Sequence, residues 1–150
     1  MIDYYDRQGR PITSEQRTEL ENSDPQYYRI AETFTEDCRI STVWLGLNHQ
    51  YGDGPPVIFE TMVFGGGLDQ DAERWCTEEE ARAGHERWVE KVRHEADVFR
   101  SIVNDPAVRA AAIALRDTRK AYREIVGGYE LDDKDYGRII AAIEASEVSA

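Results

Sequence analysis

Three side chains in this 150-residue sequence have the chemistry of a reactive site: His49, Glu60 and His85. Two imidazoles and a carboxylate are a sufficient ligand set for zinc or another divalent ion, with a position left open for an activated water. The same groups could also exchange protons as an acid-base site. No short spacing enforces either arrangement. His85 and His94 are each followed by glutamate, but Val89 and Val98 stand where the second histidine of an HExxH pair belongs. The plainer assignment is structural: His85 donates to a backbone carbonyl beneath a helix, His49 caps a strand end, and Glu60 pairs with Arg39 or Arg29. An unpaired buried carboxylate would cost several kcal/mol, so Glu60 needs some partner. The structural assignment carries more weight, and no metal or other cofactor is expected.

The remaining motifs add little chemistry. Gly65, Gly66 and Gly67 follow an apolar strand, but Leu68, Asp69, Gln70 and Asp71 intervene before any helix, and the acids would repel a phosphate. Asp133, Asp135 and Glu144 match positions one, three and twelve of a calcium loop, yet Arg138 holds the position that needs glycine. There is no G-x-S-x-G elbow, and neither Cys38 nor Cys76 sits in a recognisable nucleophile setting. Two cysteines are too few for a disulfide framework and read as free thiols. The segment from His49 to Pro56 is a loop stiffened by two prolines with Tyr51 at its tip, a form suited to anchoring a protein partner at low entropic cost.

These groups must be positioned by a small set of elements. Residues 2–5 read as a short strand, followed by a turn at Gln8–Pro11 and a helix opened by the capping box of Thr13 and Gln16. Alternation over 27–34 and β-branched content over 39–47 predict a hairpin. Residues 57–64 form a third strand, apolar on both faces except at Glu60 and Thr61, so it should be central and covered on both sides. Thr77 and Glu80 make a second capping box, and Ala81, His85, Trp88, Val92, Ala96, Phe99 and Val103 fall in one stripe of the helix that follows, with His94 on the solvent side. Asp105 and Pro106 start another helix, through Val126, and a last one runs from about Asp133 to Ser146. The expected fold is α+β: a mostly antiparallel three- or four-stranded sheet covered by the long helix, with His49, Glu60 and His85 meeting beneath it. A C-terminal helical hairpin over 105–150 is appended to the core of residues 1–104.

Composition narrows the class. With 30 acidic and 18 basic residues the formal charge is −12, which disfavours nucleic acid as a partner. Arg109, Arg116, Lys120 and Arg123 line one flank of the 106–126 helix; they read as a solvated face or as a contact for an acidic patch, including that of a sister subunit. No run approaches the roughly 18 apolar residues of a membrane helix, and the start lacks the layout of a signal peptide, so a cytoplasmic protein is expected.

The strings STVWLGLNH, GPPVIFETMVFGG and TEEEARAGHE, together with YYDRQGRPIT near the start, resemble a family of small uncharacterised proteins of tailed bacteriophages and some bacteria. The resemblance extends to about residue 93 and implies a host-directed accessory role without assigning any residue a function. The leading expectation is a non-enzymatic protein that binds a host or phage protein through His49–Pro56 and self-associates through 105–150. The alternatives are a metal-dependent hydrolase or small-ligand protein using His49, Glu60 and His85, and an acidic mimic of DNA.

Overall fold

The computed structural model of the chain describes residues 3–50, 52–114 and 133–148. It opens with a two-stranded antiparallel ribbon, β1 (Tyr4–Tyr5) and β2 (Pro11–Ile12), followed by helix α1 (Ser14–Ser23). The turn between the strands is organised by Asp6: one carboxylate oxygen accepts from the backbone of Gln8 and Arg10, the other from the Arg10 side chain. The Thr13–Gln16 capping box forms at the start of α1.

The main sheet has four antiparallel strands in the order β3 (Arg29–Phe34), β4 (Cys38–Trp44), β5 (Phe59–Gly65) and β6 (Ala72–Trp75). Its hairpin β3–β4 is the one the alternation predicts, with a register shift between Arg29 and Ala31 that turns Ile30 inward. Strand β6 goes beyond the sequence expectation. It is four residues long and its first three are exposed, so it carries almost no apolar signal of its own; pairing Phe59 with Trp75 and Thr61 with Glu73 brings it into the sheet.

Helix α2 (Glu78–Asn104) starts at the predicted box, where Thr77 Oγ1 accepts from the Glu80 backbone and Glu80 Oε2 accepts from the backbone of Thr77 and Cys76. Its first half lies against the sheet. Ala81, His85, Trp88 and Val92 are buried as the stripe requires, joined by Gly84 and Val89. The core beneath it comprises Ile40, Trp44, Ile58, Phe59, Val63 and Trp75 with these helix residues. Glu78 fastens the helix start to the N-terminal ribbon: Arg7 donates to both its oxygens at 2.7 and 2.5 Å, and Arg82 donates from the next turn. Those hydrogen bonds, Arg7's first, hold the Glu78 carboxyl below the usual carboxylate range.

Gly84 is a helix-interior glycine with a packing reason. A Cβ there would overlap the indole of Trp75, which packs against α2 at this position. Gly84→Ala gains about 1 kcal/mol of helix propensity but overpacks this contact at a cost of about 1–3 kcal/mol. Chemical denaturation should therefore show a net loss of stability; a more stable variant would mean that the indole does not rest on the helix.

Spatially the chain divides into two compact units, Met1–Arg93 and His94–Ala150. The division falls inside α2 rather than after it, because the last turns of that helix supply Phe99, Ile102 and Val103 to a second core. There they pack with Val108 of α3 (Pro106–Ala114) and with Ile139, Ile140 and Ile143 of α4 (Asp133–Val148). Asp105 caps α3 as expected, its Oδ1 accepting from the backbone of Ala107 and Val108. In this unit Arg138 donates to Glu95 at 2.7 Å and lies 4.3 Å over the Phe99 ring. The expected continuation of the 106–126 helix beyond Ala114, with Arg116, Lys120 and Arg123, lies outside the described residues. None of the described helices is long and apolar enough to cross a membrane.

Candidate functional site

The two faces of the main sheet differ completely. On the face beneath α2, a continuous polar chain crosses all four strands. His85, 2% exposed, bonds Thr33 Oγ1 through Nε2 at 2.9 Å and Thr42 Oγ1 through Nδ1 at 2.8 Å. Thr42 in turn meets Thr61 Oγ1 at 2.7 Å, and Trp75 Nε1 donates to Thr61 Oγ1 at 3.0 Å.

The direction of these bonds follows from the donor inventory. Trp75 can only donate. If Thr61 then donates to Thr42 and Thr42 to Nδ1, Nε2 keeps its proton and donates to Thr33, and every hydrogen along the fully buried part is used. The reverse direction leaves the Thr61 hydroxyl hydrogen stranded at a site with no exposure, a cost of about 1–3 kcal/mol. His85 is accordingly neutral with its proton on Nε2, and burial holds its pKa below the usual histidine range. Both ring nitrogens are spent on holding α2 to the sheet, which leaves none for a metal or a substrate.

The opposite face is open. Cross-strand pairing builds three rows on it: Arg29, Val43, Glu60 and Arg74; Glu32, Ser41, Met62 and Ala72; Phe34, Arg39 and Phe64. Tyr28, just before β3, completes a shallow depression of about 210 Å³ with the residues of the first three strands. An ordinary solvated face would carry polar residues outward. Here Phe34 is 69% and Tyr28 41% exposed, and Val43, Met62 and Phe64 form an apolar strip between the charges. The charges are held in place around it. Arg74 donates to Glu60 at 2.7 Å. Arg29 and Arg39 reach opposite oxygens of Glu32 at 3.3 and 3.4 Å, and Arg39 lies 4.5 Å over the Phe64 ring.

Of the four residues singled out in the sequence, the structure brings no set together. His85 is beneath the helix, bonded to threonines rather than to the backbone carbonyl expected. Glu60 pairs across the sheet with Arg74, not with Arg39 or Arg29, and being adjacent to Thr61 it points to the other face. The expected convergence under α2 is therefore corrected: the sheet itself separates the carboxylate from the imidazole. His49 lies at the base of the 48–56 loop, where its backbone donates to Val57 and Asn48 Oδ1 staples the loop by accepting from Gln50 and Val57. Tyr51 lies outside the described residues. Among the described residues no group of three His, Cys, Asp or Glu side chains is arranged to hold a metal ion. Cys38 and Cys76 are not joined in a disulfide and lie at opposite ends of the sheet, beside Gly65 and Trp75 respectively.

Sequence reasoning missed the open face because it took β5 to be covered on both sides. The signal that could have revealed it is the outward set of β4, Arg39, Ser41 and Val43, which alternates with Ile40, Thr42 and Trp44 and is too polar for a second buried layer. Compared with known proteins, the chain matches no family model, no curated protein and no solved structure.

Proposed function

We propose that this chain is a non-enzymatic binding protein that docks a protein partner on the open face of its sheet. The observation that carries the proposal is the exposure of Phe34 and Tyr28 around a strip of Val43, Met62 and Phe64, framed by Arg29, Arg39 and Arg74. Aromatic residues, methionine and arginine are the types enriched where protein interfaces are buried, whereas lysine, which this face lacks, is depleted there. A rigid antiparallel sheet, fastened from behind by the His85 chain, presents those anchors with little conformational entropy left to lose. In the setting implied by the resemblance to phage-type proteins, the partner would be a host or phage protein met in the cytoplasm, and the role an accessory one.

The full chain, immobilised and exposed to bacterial lysate, tests this against two surface variants. Phe34→Asp/Met62→Asp places charge in the apolar strip, and Val98→Asp alters an apolar α2 residue that is 40% exposed. Proteins retained by the parent and by Val98→Asp should be absent from the double variant. Equal retention by all three would overturn the docking surface.

A further inference from the structure

From the chemistry and exposure of the 48–56 loop we infer that Asp53 is a modification site, where the side chain rearranges to isoaspartate without an enzyme. The inference is independent of the docking role proposed above. Asp53–Gly54 is the one Asp-Gly step in the sequence, and no Asn-Gly step occurs. The neighbour matters because the reaction is an attack by the next residue's backbone nitrogen on the aspartate side chain. Only glycine leaves that nitrogen without a Cβ crowding it and its backbone free to turn.

The structure leaves both reacting groups free. Asp53 and Gly54 are exposed, and residues 52–56 belong to no helix or strand. Among the described residues no acceptor takes the Gly54 N–H and no cation pairs with the Asp53 carboxylate. The next residues, Pro55 and Pro56, have no N–H with which to fix the segment. Other aspartates are held differently. The Asp6 carboxylate is spent on Gln8 and Arg10, and the nitrogen that follows it, Arg7 N, donates to Tyr27 Oη. Cys38 N, which follows Asp37, donates to Thr35 Oγ1, and Asp69 Oδ1 accepts from Gly65. Asp24 and Asp105 precede prolines, which have no N–H to give up.

The step balances within the chain and water. Gly54 N bonds to Cγ of the protonated Asp53 carboxyl, and the carboxyl hydroxyl leaves as water with the amide hydrogen, closing a succinimide ring. Water then opens the ring. Cleavage at the side-chain carbonyl restores aspartate; cleavage at the backbone carbonyl gives isoaspartate, with the chain running through Cβ and Cγ and the former backbone carbonyl left as a free carboxylate. Mass and charge are unchanged, and no oxidant or reductant takes part. The main chain gains one carbon in the loop, above the base where Asn48 Oδ1 accepts from Val57 and His49 N donates to Val57 O. The sheet is therefore untouched while the loop is lengthened and re-aimed, and the new carboxylate is a substrate for methyl transfer from S-adenosylmethionine.

Ageing of the full chain at physiological temperature and neutral pH, followed by peptide mapping with electron-transfer fragmentation, tests the inference. Isoaspartate should accumulate at Asp53 several-fold faster than at Asp6 or Asp37. Its rate should match that of a synthetic peptide of residues 50–57, because the fold does not hold the step back. Gly54→Ala should slow it several-fold; the added Cβ meets only the Gln50 side chain, at 3.2 Å from Nε2, which can swing aside. Asp53→Glu should abolish it, and methyl incorporation by an isoaspartyl methyltransferase should follow the same order. Thermal melts before and after ageing should coincide. Absence of isoaspartate at Asp53 in the aged chain, whatever the peptide does, or equal rates at Asp6 and Asp37, would overturn the site. A lowered melt in the modified fraction would overturn the claim that the loop absorbs the extra carbon.

Discussion

Trp75→Ala should lower the stability of the chain by about 3–5 kcal/mol, the range for removing a large aromatic side chain from a core. The indole does two jobs at once. Its ring fills the space between β6 and the α2 backbone at Gly84, and its N–H is the terminal donor of the buried polar chain through Thr61. Truncation leaves a cavity and removes the one hydrogen bond whose direction orients all the others. Trp75→Phe separates the two effects: most of the volume stays and only the donor is lost, so it should cost about 1 kcal/mol from the missing hydrogen bond plus a smaller packing term. Denaturant titration followed by circular dichroism measures both. Equal effects of Ala and Phe would mean that packing at Gly84 contributes little.

His85→Leu is the second large effect, with an expected loss of about 2–4 kcal/mol at neutral pH, because the buried Thr42 hydroxyl loses its acceptor and the new side chain does not match the imidazole's shape. The pH dependence is more diagnostic than the size. The folded-state pKa of His85 is depressed below its unfolded value of about 6.5, so folding favours the neutral ring. Its contribution is fully present above the unfolded pKa and is lost as pH falls through that value toward the folded one, since the unfolded chain takes up the proton first. Protonation also places a second donor opposite the Thr42 hydroxyl and forces one hydroxyl hydrogen along the chain to go unbonded. Among the described residues no carboxylate is bonded to the ring to offset this; Glu86, next along α2, is exposed and favours the charged form less than burial opposes it. The parent should lose stability on going from neutral pH toward pH 5, and His85→Leu should flatten that limb. Below it, the Glu78 carboxyl, depressed by Arg7 and Arg82, loses its stabilising contribution in both proteins. An unchanged slope between neutral pH and pH 5 in His85→Leu would rule out a neutral, fully bonded His85.

How much of this was legible in the sequence depends on the range of the interaction. Local signals worked: the Thr13–Gln16 and Thr77–Glu80 boxes, the Asp105 cap and the first half of the α2 stripe each involve residues within a few turns, and each is found, whereas Phe99 and Val103 at the end of the stripe pack in the second core and not on the sheet. Alternation within β5 also put Glu60 and Thr61 on opposite faces in advance. What it could not decide was which face meets the helix, because both flanking sets, Phe59 with Val63 and Met62 with Phe64, are apolar. That choice is made by long-range partners: Thr33, Thr42 and Thr61 come from three different strands to bond one imidazole and its chain. Threonine is a common strand residue, so nothing in the linear sequence marks these three as a set. The short, mostly exposed β6 was hidden for the related reason that its place is fixed by Trp75 and Arg74 pairing across the sheet rather than by its own apolar content.

Hydroxyl-radical labelling read by mass spectrometry addresses most directly the division of the sheet into a sealed face and a docking face. In dilute solution Phe34, Tyr28 and Met62 should be modified readily and Trp88 protected, and in the complex the open-face residues alone should become protected. Rapid modification of Trp88, or an open face already shielded in the dilute monomer, would contradict the account.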